Sequence, residues 1–183
     1  NRCNWVSNDE LYIKYHDEEW GKPLYDDKIL FEFLVLESFQ AGLSWITILK
    51  KRENFRKAFD NFNDKKIIKY TPEKVEELLQ NEGIIRHRGK IEATINNARV
   101  FQEIQKEFGS FSDYLWNYVN NKPIDNKLKS IKEAVATSEI SDALAKDLKK
   151  RGFKFMGSTT VYAFMQAVGM VNDHITSCFC NKN

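Results

Sequence analysis

The sequence predicts an all-α fold on three observations. Apolar residues recur at helical spacing along nearly the whole chain. Glycine and proline are scarce, with 8 and 3 among 183 residues. Ser, Thr or Asp stands where several of the periodic stretches begin, and Gly where several stop. An acidic residue at Asp26 or Asp27 caps a helix running through Leu30, Phe33, Leu34 and Glu37, which Gly42 ends or kinks. Ser44 opens a second helix over 45–59, with Trp45, Ile48, Leu49, Arg52, Phe55 and Phe59 at helical intervals. Thr71-Pro72 reads as an N-cap followed by proline in the first turn, giving a short helix over 73–81. A longer helix over 89–108 is stopped by Gly109, and 112–120 carries an aromatic stripe of Tyr114, Leu115, Trp116 and Tyr118, read as core packing. From 121 to 138 the pattern weakens, over a connection long for a compact domain. Ser141 caps a helix through Leu144, Leu148 and Lys150 that ends at Gly152, and Ser158-Thr159-Thr160 opens the last helix, with Val161, Phe164, Met165 and Val168 inward.

A length of 183 residues with 42% hydrophobic content suffices for one globular domain or two lobes sharing a core. Three cysteines, an odd number, do not read as a disulfide framework, so a reducing intracellular compartment is expected. The longest apolar run, 29–41, is broken by Glu32, Glu37, Ser38 and Gln40, and Asn1-Arg2-Cys3-Asn4 has no apolar signal character. No membrane span is therefore expected. The 28 basic and 26 acidic side chains leave a net charge of +2, which excludes a uniformly basic, histone-like surface. Contact with nucleic acid has to come from a local patch.

Three constellations carry chemistry. Cys3 and His16 near the start match His174 and Cys178 near the end. If His174 and Cys178 share a helical face at their four-residue spacing, the Cys2His2 set suits a closed, structural, tetrahedral zinc. The same residues also suit plain burial, and Cys180 is a rival thiol. In the second constellation, the glycine-bounded turn 152–157 between two helices reads as a helix-hairpin-helix. There Gly152, Lys154, Gly157, Ser158 and Thr159 set backbone amides and positive charge beside a helix start, as a DNA phosphate requires, although a solvated helical hairpin has the same pattern. A second basic cluster, Arg86-His87-Arg88-Gly89-Lys90, also precedes a helix. The third is Tyr12, Tyr15, Trp20, Glu37 and Trp45, four large aromatics and a carboxylate. Glu37 sits in an apolar stretch and needs a partner, either a structural ion pair or a flat cationic ligand stacked on the rings.

Several strings resemble 3-methyladenine DNA glycosylase I. They are Arg2-Cys3-Asn4-Trp5, Leu11-Tyr12-Ile13-Lys14-Tyr15-His16-Asp17, Glu19-Trp20-Gly21, Gln40-Ala41-Gly42-Leu43-Ser44-Trp45, Gly83-Ile84-Ile85-Arg86-His87-Arg88-Gly89-Lys90, Lys149-Lys150-Arg151-Gly152-Phe153-Lys154-Phe155 and Val171-Asn172-Asp173-His174. The likeness spans nearly the whole chain. It implies a single glycosylase domain over 1–183, with a helix-hairpin-helix at about 141–169 and zinc-binding termini at 1–20 and 170–183. It implies one structural zinc per chain on Cys3, His16, His174 and Cys178. The implied partner is double-stranded DNA containing 3-methyladenine, met in the cytoplasm by a monomer.

The same likeness implies a monofunctional enzyme that flips the damaged base into the pocket of Tyr12, Tyr15, Trp20, Glu37 and Trp45 and hydrolyses its N-glycosidic bond. Leu43 resembles the apolar plug that enters the duplex, Glu37 is the catalytic candidate, and Asp173 is a lesser one. Two other classes compete. A noncatalytic zinc-stabilised DNA-binding module does not need the aromatic pocket, and a zinc hydrolase needs an open metal position and a general base such as that of H-E-x-x-H.

Overall fold

The computed structural model describes residues 1–181, so the last two residues of the expected 170–183 zinc-binding segment lie outside it. The chain is helical almost throughout. Its first helix, α1 (Glu10–Glu18), starts at Asp9, whose carboxylate accepts from the amides of Leu11 and Tyr12. The periodicity did not announce this helix, because its buried face is only Tyr15 and His16. The central helix α2 (Asp27–Gln40) is capped by Asp26 and is buried from Leu30 to Phe39. A helix that is apolar nearly all round belongs in the middle of a protein, and α2 is covered on its several sides by the elements that follow.

Those elements are α3 (Trp45–Ala58), the single turn α4 (Asp64–Ile67), α5 (Pro72–Leu79), α6 (Arg88–Phe108) and α7 (Phe111–Trp116). After a long connection come α8 (Glu139–Arg151) and α9 (Ser158–Ala167). Helices α3, α6, α7 and α9 pack on α2. The caps follow ordinary chemistry: Thr71 accepts from Lys74 N ahead of Pro72, and Gly109 closes α6 at φ +90°. At α8 the cap is Ser138, not Ser141. Ser141 is the third helical residue, and it completes a reciprocal capping box with Ser138, so the helix starts earlier than its apolar pattern suggests.

The weakly patterned stretch 121–138 is held by a two-residue parallel pair, β1 (Ile124–Asp125) against β2 (Val171–Asn172), the one departure from all-α among the described residues. The segment after α1 is clamped on the end of α9: Gly21 N donates to Gln166 O and Leu24 N to Val168 O, both at 3.0 Å, satisfying carbonyls that a helix end leaves free. This approach demands glycine at 169. Its φ is +76°, and a Cβ there would lie 2.2 Å from Lys22 C. The clamp places the residues after α1 beside those after α9, which is where the chemistry gathers.

Candidate functional site

Cys3, His16, His174 and Cys178 converge, all four buried, with their ligand atoms within 4.8 Å of one another. Cys3 Sγ is 3.5 Å from His174 Nδ1, and Cys178 Sγ is 3.5 Å from His16 Nε2 and 3.6 Å from His174 Nδ1. Tetrahedral zinc, with bonds of about 2.3 Å to sulfur and 2.0–2.1 Å to nitrogen, requires S···N edges of about 3.6 Å. The donor set therefore fits the ion. The opposite ring nitrogens are engaged as second partners should be: His16 Nδ1 meets Asp17 Oδ1 at 2.7 Å, and His174 Nε2 meets the Trp20 carbonyl at 2.8 Å. Each ring thus donates outward and turns a lone pair toward the cluster. Burial pushes the Cys3 thiol up to about 12 and lowers both imidazoles, so the pocket is poor for isolated thiolates. A divalent cation reverses that penalty.

His174 and Cys178 do not share a helical face, contrary to what their spacing suggests. No helix spans 173–180; a turn, in which Cys178 N donates to Ile175 O, brings the two side chains together. Cys180 is not in the buried set. It groups instead with His16 and Asp17 and is only half-buried.

Directly beside the cluster lies a cavity of about 270 Å³. All five aromatic and carboxylate candidates, Tyr12, Tyr15, Trp20, Glu37 and Trp45, line it. They reach it from α1, the segment after α1, α2 and the start of α3. Helix α2 does not continue through Gly42, as an i, i+4, i+8 row of Glu37, Ala41 and Trp45 would require. It ends at Gln40, Gly42 turns at φ +81°, and Ser44 restarts the chain as α3. The Tyr15 and Trp45 rings lie 5.5 Å apart, and Trp20 packs edge-on to His174 at 4.7 Å, so a pocket wall rests on the Cys/His cluster.

Two carboxylates on the buried helix α2 have opposite fates. Glu32 accepts from Arg52 and Arg56, and although burial raises it, those arginines hold it below its ordinary value. Glu37 Oε2 is fully buried without a hydrogen-bond partner, and burial pushes the carboxyl up to about 8. The indole Nε1 atoms of Trp5 and Trp45 are likewise buried and unpartnered. A buried polar atom left unpaired is costly, so such groups around one cavity mark a place for a ligand. The structural ion pair open to Glu37 in the sequence is the one Glu32 makes.

Sequence reasoning missed Trp5, Gln40 and Gln166 in the lining, and it left Asp173 unplaced. Gln166 had a legible signal: it is polar in an apolar helix, as Glu37 is. Asp173 lines the cavity with both oxygens engaged, Oδ1 by Asn126 Nδ2 at 2.7 Å and Oδ2 by Tyr162 OH at 2.7 Å and Gln166 Nε2 at 2.9 Å.

Leu43 is 38% exposed in the turn between Gln40 and Trp45, both of which line the cavity. Of the hairpin residues, Gly152 takes φ +106° and its carbonyl accepts from Asn96, while both the amide and the carbonyl of Lys154 bond Asn97. The turn is thus bolted to α6, and the Lys154 amide is not free for a phosphate, although its side chain is exposed. Gly157 precedes α9, whose first turn has no side-chain cap among the described residues; the Ser158 hydroxyl faces Asp142 and Ser141, and Thr159 is exposed. The basic clusters are more committed than their charge suggests. Arg151 pairs with Asp147 and Glu107, Arg88 with Glu76, and Lys90 is buried, donating to Phe39 O at 3.3 Å.

Comparison with known proteins agrees over the full chain. The methyladenine glycosylase family matches residues 5–181. The chain is 51% identical to the DNA-3-methyladenine glycosylase of Haemophilus influenzae, over 100% of this chain and 98% of the relative. It superposes on a crystal structure of 3-methyladenine DNA glycosylase I with a TM-score of 0.97 and 54% identity, covering 100% of both chains. A variant of 3-methyladenine DNA glycosylase I in complex with 3-methyladenine matches equally well, with a TM-score of 0.97 at 40% identity, over 100% of this chain and 98% of that one. On these grounds the chain belongs to the methyladenine glycosylase family.

Proposed function

We propose that this chain is a monofunctional 3-methyladenine DNA glycosylase of base excision repair, which hydrolyses the N-glycosidic bond of the alkylated base in duplex DNA and leaves an abasic site. The observation that carries the reading is the unpartnered buried carboxyl of Glu37 in an aromatic cavity of about 270 Å³, which has room for one flat base. The family to which the chain belongs supports the same substrate.

The residues divide the work by chemistry. A base inside a duplex is out of reach and must be swung from the stack. Leu43, exposed at the pocket rim, fills the gap left behind. The uncapped start of α9, with Gly157, Ser158 and Thr159, and the side chain of Lys154 at the turn after Gly152 hold the backbone without reading sequence. Tyr12, Tyr15, Trp20 and Trp45 supply π faces for a cationic ring, and Glu37, protonated in the empty cavity, releases its proton to solvent as the cation enters, then accepts from the polar edge of the base and offsets its charge. Adenine alkylated at N3 is already a good leaving group, so binding and orientation suffice where a neutral base would demand a strong general acid. Cys3, His16, His174 and Cys178 would hold zinc, which when bound ties the two ends of the chain together and leaves no position open for catalysis. The hydrolase alternative lacks that open position, and a noncatalytic module has no use for an unpaired buried carboxyl. The active unit is a monomer on one lesion.

The test is chromatography of free bases released from methylated duplex DNA, against a no-enzyme control. Release of 3-methyladenine with little 7-methylguanine is expected. Folded, zinc-loaded protein that releases neither sinks the proposal.

A further inference from the structure

We propose that Gln166 is a second acceptor for the flipped base and that Asp173 is the positioning residue that fixes its orientation. This rests on the glycosylase reading and deepens it, because it assigns a specificity role in the same cavity.

A glutamine amide has one accepting end and one donating end of nearly equal shape, so its neighbours decide which end faces a ligand. Here the neighbour is a carboxylate, which accepts and does not donate. Gln166 Nε2 donates to Asp173 Oδ2 at 2.9 Å, so the carbonyl end is turned away from Asp173. Gln166 lines the cavity, and its Oε1 has no protein donor and is not sealed in by protein among the described residues. The orientation is well supported. Asp173 is 2% exposed and receives two further donors, Tyr162 OH and Asn126 Nδ2, each at 2.7 Å. The Gln166 main chain is pinned as well, its carbonyl accepting from Gly21 N at 3.0 Å.

Held by three donors, Asp173 has little freedom to turn toward a sugar or a water. Its effect on the ligand passes through Gln166. With Glu37 ionised beside a cationic base, the cavity offers two oxygen acceptors, Glu37 Oε2 and Gln166 Oε1. A base that brings amino hydrogens and positive charge satisfies both, whereas a base presenting a carbonyl at that edge meets two lone pairs.

The experiment is titration of free 3-methyladenine into folded, zinc-loaded protein, followed by the fluorescence of the cavity tryptophans. Gln166→Met keeps the length and removes the acceptor, and binding should weaken roughly tenfold, as for a hydrogen bond lost with the amino donor of the base left unpaired. Gln166→Glu alone sets two carboxylates against each other and should also weaken binding. Asp173→Asn combined with Gln166→Glu restores a donor facing an acceptor, since the asparagine amide can donate to the new carboxylate. That pair should bind within about threefold of wild type at the same zinc content. Wild-type affinity in Gln166→Met overturns the acceptor role, and equal affinity in Gln166→Glu with and without Asp173→Asn overturns the positioning role. Failure of the wild-type chain to bind 3-methyladenine would instead strike the glycosylase reading itself.

Discussion

Glu37→Gln should flatten the dependence of stability on pH. In the folded chain burial pushes the Glu37 carboxyl up to about 8, against an ordinary value of 4.5. Between those two values the native state holds a proton that the unfolded chain has released. The unfolded state then binds fewer protons, so stability falls as pH rises across this window and levels off above about 8. The slope approaches 1.36 kcal/mol per pH unit for one such group, so between pH 6 and pH 8 the wild-type chain should lose about 2 kcal/mol from this residue alone. Glutamine does not ionise, and the variant escapes that loss. For a chain of this size each kcal/mol moves the melting temperature by about 2–4 °C, so the gap between the two proteins should widen by about 4–8 °C across the window. Thermal melts of both proteins at pH 6, 7 and 8, at equal zinc loading, read it directly, because other titrating groups cancel in the difference. The same substitution should weaken binding and excision of the cationic base, a gain in stability set against a loss of function. Melting curves that stay parallel from pH 6 to pH 8 would refute the reasoning, since they would mean that Glu37 has a partner or water that keeps its pKa ordinary.

Two further outcomes follow from the geometry. Cys178→Ala should lower zinc content and cost on the order of 3–5 kcal/mol, because the proposed ion would close a loop of nearly the whole chain. Trp20 fluorescence should shift with it, as the ring rests on His174; full zinc content in the variant, measured by atomic absorption, would name Cys180 as the ligand. Leu43→Ala should change the melting temperature little, because the side chain is 38% exposed, while base release from duplex DNA falls and binding of free 3-methyladenine is retained. A parallel loss in both assays would place Leu43 inside the pocket and not at the DNA.

Most helices were legible from short-range signals. Asp26, Thr71 and Gly109 stand at helix ends as their cap chemistry predicts, and the apolar spacing of α2, α3, α6, α8 and α9 is visible in the residues themselves. Helix α1 was not legible, because a helix carrying Tyr15 and His16 as its buried face lacks an aliphatic stripe. The residue types of the candidate site were visible too, as aromatics, carboxylates within an apolar run and two Cys and His pairs, but each also suits plain burial or an ion pair, and the sequence did not choose between those uses.

What the sequence determined by itself was therefore the set of elements and the inventory of reactive side chains, since caps and periodicity act over a few residues. The tertiary structure decided which members of that inventory have partners. Glu32 and Glu37 sit five positions apart on one buried helix and look alike in sequence, yet Arg52 and Arg56 from α3 reach Glu32 and not Glu37, which is left facing the cavity. Likewise a turn, and not a helical face, brings His174 and Cys178 to Cys3 and His16. Lys90, Arg88 and Arg151 commit their charge to carbonyls and carboxylates of other elements. Pairings of this kind join residues tens to more than a hundred positions apart, and local signals carry no information about which distant group the packed core will set opposite a given side chain.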